Sequence, residues 1–419
     1  MSAQAAPAVL LNEPVLRWSA RAHSIPGIEK ELAAIWAKAD LTVDVEGEPG
    51  RHVSARTSVM NLVVIARRPE IAERGAATIQ ALTGKHPSRT IVVQSADPDG
   101  PSWVDARIEA HCILPREDAP ETCAETIHLI AGGEAGRHLS AIVTPLIIHD
   151  LPVAVWWPGE PPFTSRSAID LLTGADRLVV DGSTWSGDGL ARLHEMAATA
   201  ETTELAVSDF AMVRQSRWRE AIASIFDDPD FLPYLRSLRR VAVTYGTHDE
   251  TGAPGSTNLV KPVYHVAWLG SRLGLHVLKP LSAATGPGPG GTSKVHKSRP
   301  SSGSKPMLSR GMVATLGEGR NEVSVVIRPV VSAMPSGTTL RVELLCERRG
   351  SELRADVTAE AETVHVRVWQ DGVEVLERQF LAPRRTDVDL LAEVIEAGRR
   401  DHVSIGTLRM AAKLVGPPA

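Results

Sequence analysis

Asn61-Leu-Val-Val-Ile-Ala66, then Pro69 to Gly84, then Thr90-Ile-Val-Val-Gln-Ser95 is the stretch whose reading decides the fold. Each six-residue apolar run has the length and β-branched content of a buried strand. Between them Pro69 stands where a first helical residue belongs, Gly84 lies just past the end, and Ile71, Gly75, Ile79 and Leu82 share one stripe. Strand, helix and strand of these lengths make a βαβ unit, which predicts two parallel strands with a right-handed crossover.

The same grammar extends in both directions. After an N-terminal stretch read as disordered, Ser24 and Pro26 open a helix with Ile28, Leu32, Ile35 and Trp36 on one face. Strands are expected over Trp103–Cys112, Glu125–Ile130, Leu151–Trp157, Arg177–Asp181 and 239–245. Helices are expected over Arg137–Ile148, 189–200, 212–226 and 257–272. Residues 1–282 therefore read as an α/β region built on a mostly parallel sheet with flanking helices. Residues 283–306 are rich in Gly, Pro, Ser and Lys and cannot bury a core, so they read as a flexible linker or insertion. Their basic residues Lys294, Lys297, Arg299 and Lys305 offer an acidic partner a target, but a solvated loop is the plainer reading.

Residues 307–415 have a different character. Val323–Val331, Thr339–Glu347, Leu353–Thr358, Thr363–Gln370 and Val373–Phe380 alternate as strands, with Asp371-Gly372 as a hairpin turn. A helix beginning after Thr386, with Asp389 as its capping partner, is expected to close this antiparallel sheet. The division is placed at 283–306, with a boundary just after residue 163 as the other reading.

Bulk properties exclude several classes. A chain of 419 residues predicts two or three domains, and 43% hydrophobic with 23% charged residues is ordinary for a globular protein. A net charge of -5 argues against nucleic-acid binding driven by overall charge. The longest apolar run near the middle, Ala141–Ile148, falls well short of the roughly 20 residues that span a bilayer, and no basic residue precedes Arg17 as in a leader peptide. Three cysteines make no disulfide framework. A cytoplasmic protein with no nucleic-acid and no membrane partner is expected.

No catalytic, cofactor-binding or metal-ligating set emerges. The loop after the first strand, Ala66-Arg67-Arg68-Pro69, lacks the glycines that let a pyrophosphate approach the backbone. Gly132-Gly133-Glu134-Ala135-Gly136 is the nearest substitute, but Glu134 would repel phosphate, and glycines also serve a plain turn. His149-Asp150 are adjacent, a poor arrangement for a carboxylate-oriented base. His194-Glu195 opens like a zinc helix, yet Ala198 replaces the second histidine. Cys112, Cys123, His128 and His138 match no zinc spacing, and Cys112, Cys123 and Cys346 include no Cys-x-x-Cys pair, which leaves open a pair brought together by folding.

One segment stands out: Asp150-Leu-Pro-Val-Ala-Val-Trp-Trp-Pro-Gly-Glu-Pro-Pro162. Successive strand side chains point to opposite faces, so Trp156 and Trp157 cannot share one pocket. Pro158, Gly159, Pro161 and Pro162 then build a stiff elbow. Burying one Trp removes on the order of 150–250 Å² from water, worth roughly 4–6 kcal/mol. Two readings follow: both rings lie under helices, or the elbow lines a ligand crevice or anchors a partner at the strand's carboxyl end.

These residues carry a resemblance. Arg56-Thr-Ser-Val-Met-Asn-Leu-Val-Val64, His138-Leu139, Thr144-Pro-Leu-Ile147, Asp150-Leu-Pro-Val153 and Trp156-Trp-Pro-Gly-Glu-Pro-Pro162 resemble the OpcA family, the glucose-6-phosphate dehydrogenase assembly proteins of bacteria. The resemblance implies a non-catalytic activator that binds that dehydrogenase and promotes its active oligomer, in support of NADPH production. The alternative is a sugar-phosphate or nucleotide-binding sensor or enzyme. Family members in photosynthetic organisms respond to thiol redox state, but the three cysteines here show no matching pair. The expected partner-binding residues are Asp150, Pro152, Trp156, Trp157, Pro158, Gly159, Glu160, Pro161 and Pro162.

Overall fold

The computed structural model describes residues 14–37, 42–44, 51–53, 55–56, 58–97, 99–113, 122–203, 205–248, 257–284, 311–319, 321–360, 362–397 and 401–416. The chain divides into two compact units, Met1–Asp181 with Ala198–Phe210 and Arg385–Asp401, and Gly182–Ala197 with Ala211–Arg384 and His402–Ala419.

The chain begins with β1 (Val15–Ala22), α1 (Ile25–Ala37) and the short strands β2 (Thr42–Asp44), β3 (Arg51–Val53) and β4 (Ala55–Arg56). The βαβ unit follows as β5 (Met60–Ala66), α2 (Pro69–Gln80) and β6 (Ser88–Ser95), with the two strands parallel as expected. Next come a hairpin, β7 (Trp103–Ile113) and β8 (Thr122–Gly132), and two short helices, α3 (Gly133–Arg137) and α4 (Leu139–Val143). Then follow β9 (Val153–Trp157), α5 (Arg166–Thr173), β10 (Arg177–Val180), α6 (Leu190–Thr202) and β11 (Ala206–Asp209).

The first sheet runs β1-β7-β8-β6-β5-β9-β10-β11, with β4 paired to β8. From β8 to β11 its pairs are parallel, and only β1–β7 and β7–β8 are antiparallel. Parallel pairs predominate in this sheet, and the antiparallel ribbon on one side departs from the layout expected. Every residue of β5 and β9 is buried, as a strand covered on both faces requires. Where β6 meets β8, Arg89 lies beside Glu125 in register and bonds it at 2.6 Å, while its guanidinium also reaches the carbonyl of Leu146 at 3.0 Å. Trp36 donates its indole N–H to the same carboxylate. This buried charge pair is thus held by further hydrogen bonds, the condition under which such pairs persist.

The second half of the chain contains α7 (Phe210–Val213), α8 (Ser216–Ile225), β12 (Leu238–Thr247), α9 (Val260–Arg272) and β13 (His276–Ala283). It continues with β14 (Met312–Glu318), β15 (Asn321–Val331), β16 (Thr339–Arg348), β17 (Ser351–Glu360), β18 (Thr363–Gln370) and β19 (Val373–Leu381), then α10 (Asp387–Glu396) and α11 (His402–Val415). The second sheet runs β13-β14-β15-β12-β16-β17-β18-β19, antiparallel except between β12 and β15. Alternation sets its core: Val325, Val241, Leu344, Ala355 and Val368 lie in one transverse row, all buried. The expected hairpin turn is present, with Asp371 and Gly372 both at positive φ, 51° and 84°, the geometry an Asp-Gly turn supplies.

Three expectations need correction. The division at 283–306 does not match the compact units: β12, read as part of the α/β region, is a central strand of the second sheet. A parallel partner is remote in sequence, so a lone apolar strand does not reveal its sheet. The Thr386–Asp389 capping box forms as expected, but α10 belongs to the first unit, where Asp387 lies 3.7 Å from Arg74 of α2 and Glu396 lies 3.2 Å from His86. The helix that packs on α9 and β13 in the second unit is α11. Finally, Arg137–Ile148 is not one helix, because the chain breaks at His138 between α3 and α4 and turns tightly through Thr144–Leu146 at Pro145. Among the described residues no helix is long and apolar enough to cross a membrane. The linker beyond residue 284 and the N-terminal stretch before residue 14 lie outside the described residues.

Candidate functional site

In the first sheet the strand order reverses beside β5. The chain passes from β5 to β6 and β8 on one side, then to β9, β10 and β11 on the other. In an open parallel sheet the crevice outside the carboxyl ends of the strands at such a reversal is the natural ligand position. Here it is bordered by Arg67 and Arg68 after β5, both exposed, and by Pro158-Gly159-Glu160 after β9. Arg68 precedes α2 in extended geometry, φ -122° and ψ 140°, as Pro69 requires of its predecessor, and pairs with Glu70 at 3.3 Å.

The structure divides the expected partner-binding residues between two edges of the sheet. Asp150 and Pro152 precede β9 and are exposed at its amino end. Gly159, Glu160 and Pro162 lie beyond its carboxyl end and are half-buried, with Pro158 and Pro161 buried. Six residue steps separate Pro152 from Pro158, about 20 Å in an extended chain. The two tryptophans are core: Trp156 is 1% and Trp157 3% exposed. Trp156 lies between Val64 and Val179 in register, with its ring 5.8 Å from that of Phe210. Its indole N–H is buried without a hydrogen-bond partner among the described residues. Of the two readings of the corner, burial under neighbouring side chains is the one observed for the rings.

The amino-edge part of the motif is organised by a residue not singled out from the sequence. Asn61, fully buried at the start of β5, donates to the carbonyls of Ile148 (2.9 Å) and Leu151 (3.3 Å) and accepts from the Ile148 N–H (2.7 Å). Asp176 accepts from the Val153 N–H at 2.9 Å. Asp150, at φ 68°, makes the left-handed turn between these clamps, a conformation Asp tolerates better than most residues. A polar Asn inside an apolar strand was the available signal.

The other sequence candidates find structural places. Gly133 has φ 55°, and a Cβ there would lie 2.6 Å from two backbone oxygens; at Gly136 it would lie 2.6 Å from the Ala131 carbonyl. These glycines permit chain to pack on chain, and Glu134 is occupied by His138 at 2.7 Å. Glu195 pairs with Arg192 at 2.8 Å. Cys112 and Cys123, expected to have no matching partner, are directly opposed on β7 and β8 and joined by a disulfide, while Cys346 is free and buried. Hairpin register, invisible in Cys spacing, brings them together. Among the described residues no group of three His, Cys, Asp or Glu side chains is placed to hold a metal ion.

Two family models together match most of the chain. Residues 79–198 match the family model described as the glucose-6-phosphate dehydrogenase subunit N-terminal domain, and residues 205–403 match the C-terminal domain of the same subunit. Two curated relatives named OxPP cycle protein OpcA, from Synechocystis sp. and Synechococcus elongatus, are each 24% identical over 202 residues, covering 48% of this chain. The match spans 40% and 43% of the length of those relatives, less than half in each case. Among solved structures, Gal80p from Kluyveromyces lactis is 10% identical with a TM-score of 0.44, over 86% of this chain and 91% of that one. A dehydrogenase from Clostridium difficile is 9% identical with a TM-score of 0.34, over 80% of this chain and 88% of that one.

Proposed function

Since the chain belongs to the OpcA family of glucose-6-phosphate dehydrogenase assembly proteins, we propose that it is a non-catalytic partner of that dehydrogenase. It binds the enzyme, favours its active oligomer and raises its activity in the oxidative pentose phosphate cycle. The observation that carries this reading is the pair of family matches, which run in order along 79–198 and 205–403.

Burial narrows where a partner can touch the family motif. The rings of Trp156 and Trp157 are enclosed, so contact falls on the residues they support: Gly159, Glu160 and Pro162 at one edge, or Asp150 and Pro152 at the other. The test is co-elution of the purified chain with glucose-6-phosphate dehydrogenase from the same organism on gel filtration, for the wild type and for Glu160→Lys and Asp150→Lys separately. Loss of the complex in one variant, with an unchanged melting temperature, identifies the contacting edge. No co-elution of the wild type refutes the reading.

A further inference from the structure

The antiparallel ribbon of the first unit carries a second concavity that the crevice does not use. In β7 alternate residues Ala106, Ile108, Ala110 and Cys112 are buried, and Asp105, Arg107, Glu109 and His111 take the opposite face. Between that polar face and the first turn of α2 is a cavity of about 200 Å³, whose lining includes Arg21, Glu73, Gln94, Asp105, Arg107 and His128. At about 30 Å³ for each water of the liquid, this is room for a small metabolite rather than a dinucleotide.

The register makes this wall unusual. Arg21 of β1 is the direct partner of Arg107, and Arg107 is the direct partner of His128 of β8. Three basic side chains therefore stand in one transverse row on one face, an arrangement that costs stability when like charges are directly opposed. Only part of this is offset. Glu109 takes Arg107 at 3.0 Å and His128 at 3.3 Å, and Asp105 lies 3.1 Å from His23. Arg21 has no ion-pair partner among the described residues. Burial, then the charge of Arg107, lowers the His128 pKa from its usual range, so at neutral pH the ring enters as an uncharged hydrogen-bonding group.

We propose that this cavity binds a small hydroxylated phosphate monoester, with its phosphate across Arg21 and Arg107 and its hydroxyls on Gln94 and Glu73. Guanidinium groups match phosphate oxygens with paired, charge-assisted hydrogen bonds. The Gln94 carboxamide and the carboxylates serve as acceptors for sugar hydroxyls, and the carboxylates would repel a bare polyanion. Occupation also relieves the like-charge row. The site lies within one unit and is independent of the partner assignment, so the chain alone suffices to test it.

The experiment is calorimetric titration of the purified full chain with glucose 6-phosphate at about 0.15 M salt, with glucose and inorganic phosphate as comparators. Arg107→Gln and Arg21→Gln both alter partly or fully exposed side chains, and each is checked for an unchanged melting temperature. Saturable binding of glucose 6-phosphate, tighter than either comparator and weakened tenfold or more in each variant, is the expected result. Three outcomes overturn the proposal: no saturable binding, binding undiminished in both variants, or inorganic phosphate bound as tightly as the sugar phosphate.

Discussion

Asn61 shows what a single polar residue in an apolar strand can mean. Its side chain serves both polar groups of Ile148 and the carbonyl of Leu151, and it is fully buried. Asn61→Leu removes the partners of the Ile148 N–H and the Leu151 carbonyl, while the Ile148 carbonyl keeps the Leu151 N–H, and is expected to cost about 3 kcal/mol, read as a lower urea midpoint with an unchanged slope. His265 is the opposite case. It is 1% exposed, neither ring nitrogen has a hydrogen-bond partner among the described residues, and it meets the Trp218 ring edge-on at 5.2 Å. Burial, then the charge of Arg219, pushes its pKa down to about 3. The folded state thus holds the neutral ring while the unfolded chain takes up a proton near pH 6.5, so this residue's contribution to stability falls as pH drops from about 6.5 toward 3. At pH 5 the linked loss is about 2 kcal/mol, and His265→Leu should abolish that part of the difference between urea unfolding at pH 8 and pH 5. For the tryptophans, Trp157→Ala is expected to cost about 3–5 kcal/mol as a cavity, whereas Trp156→Phe, which removes an indole N–H that has no partner, costs less than Trp156→Ala. Which face each ring takes follows from strand alternation; whether a face is covered depends on helices whose placement the local sequence does not encode.

At the level of elements, periodicity located most helices and strands, because a buried face imposes its spacing on the residues that make it. The capping box is the sharpest instance: Thr386 and Asp389 exchange backbone and side-chain hydrogen bonds as their spacing predicts. Thr386→Ala should destabilise the first unit by about 1 kcal/mol, seen as a lower melting temperature. What periodicity did not convey was assignment to a sheet. β12 has the apolar character of a parallel-sheet strand and finds its parallel partner in β15, far along the chain. α10 announces its own start but not the helix it packs on. β1 and β11 were not expected: two Arg and a Ser interrupt the first, and the second is only four residues long. The β7–β8 hairpin adds a covalent tie that spacing concealed, since Cys112 and Cys123 become neighbours only in register. For the short loop it closes, with a sequence separation of 11, reduction is expected to cost roughly 3 kcal/mol by the chain-entropy account, measured as the melting temperature with and without reductant.

For the molecule as a whole, the family was legible in one motif, and its geometry was not. The segment 150–162 reads as a single block, yet β9 sends its two ends to opposite edges of a sheet and hides the aromatic middle. Its rigidity shapes the backbone and buries the rings, leaving Asp150 and Pro152 exposed at one edge and Gly159, Glu160 and Pro162 half-buried at the other. The central claim, that this chain acts through glucose-6-phosphate dehydrogenase and performs no chemistry of its own, is tested most directly by a rate titration. The dehydrogenase is held at fixed concentration with its substrates while the purified chain is added, and oligomer mass is followed in parallel by light scattering. The account predicts a saturable rise in rate that levels off at a fixed molar ratio, together with a shift to the larger oligomer. A flat rate and an unchanged oligomer across all ratios would contradict it.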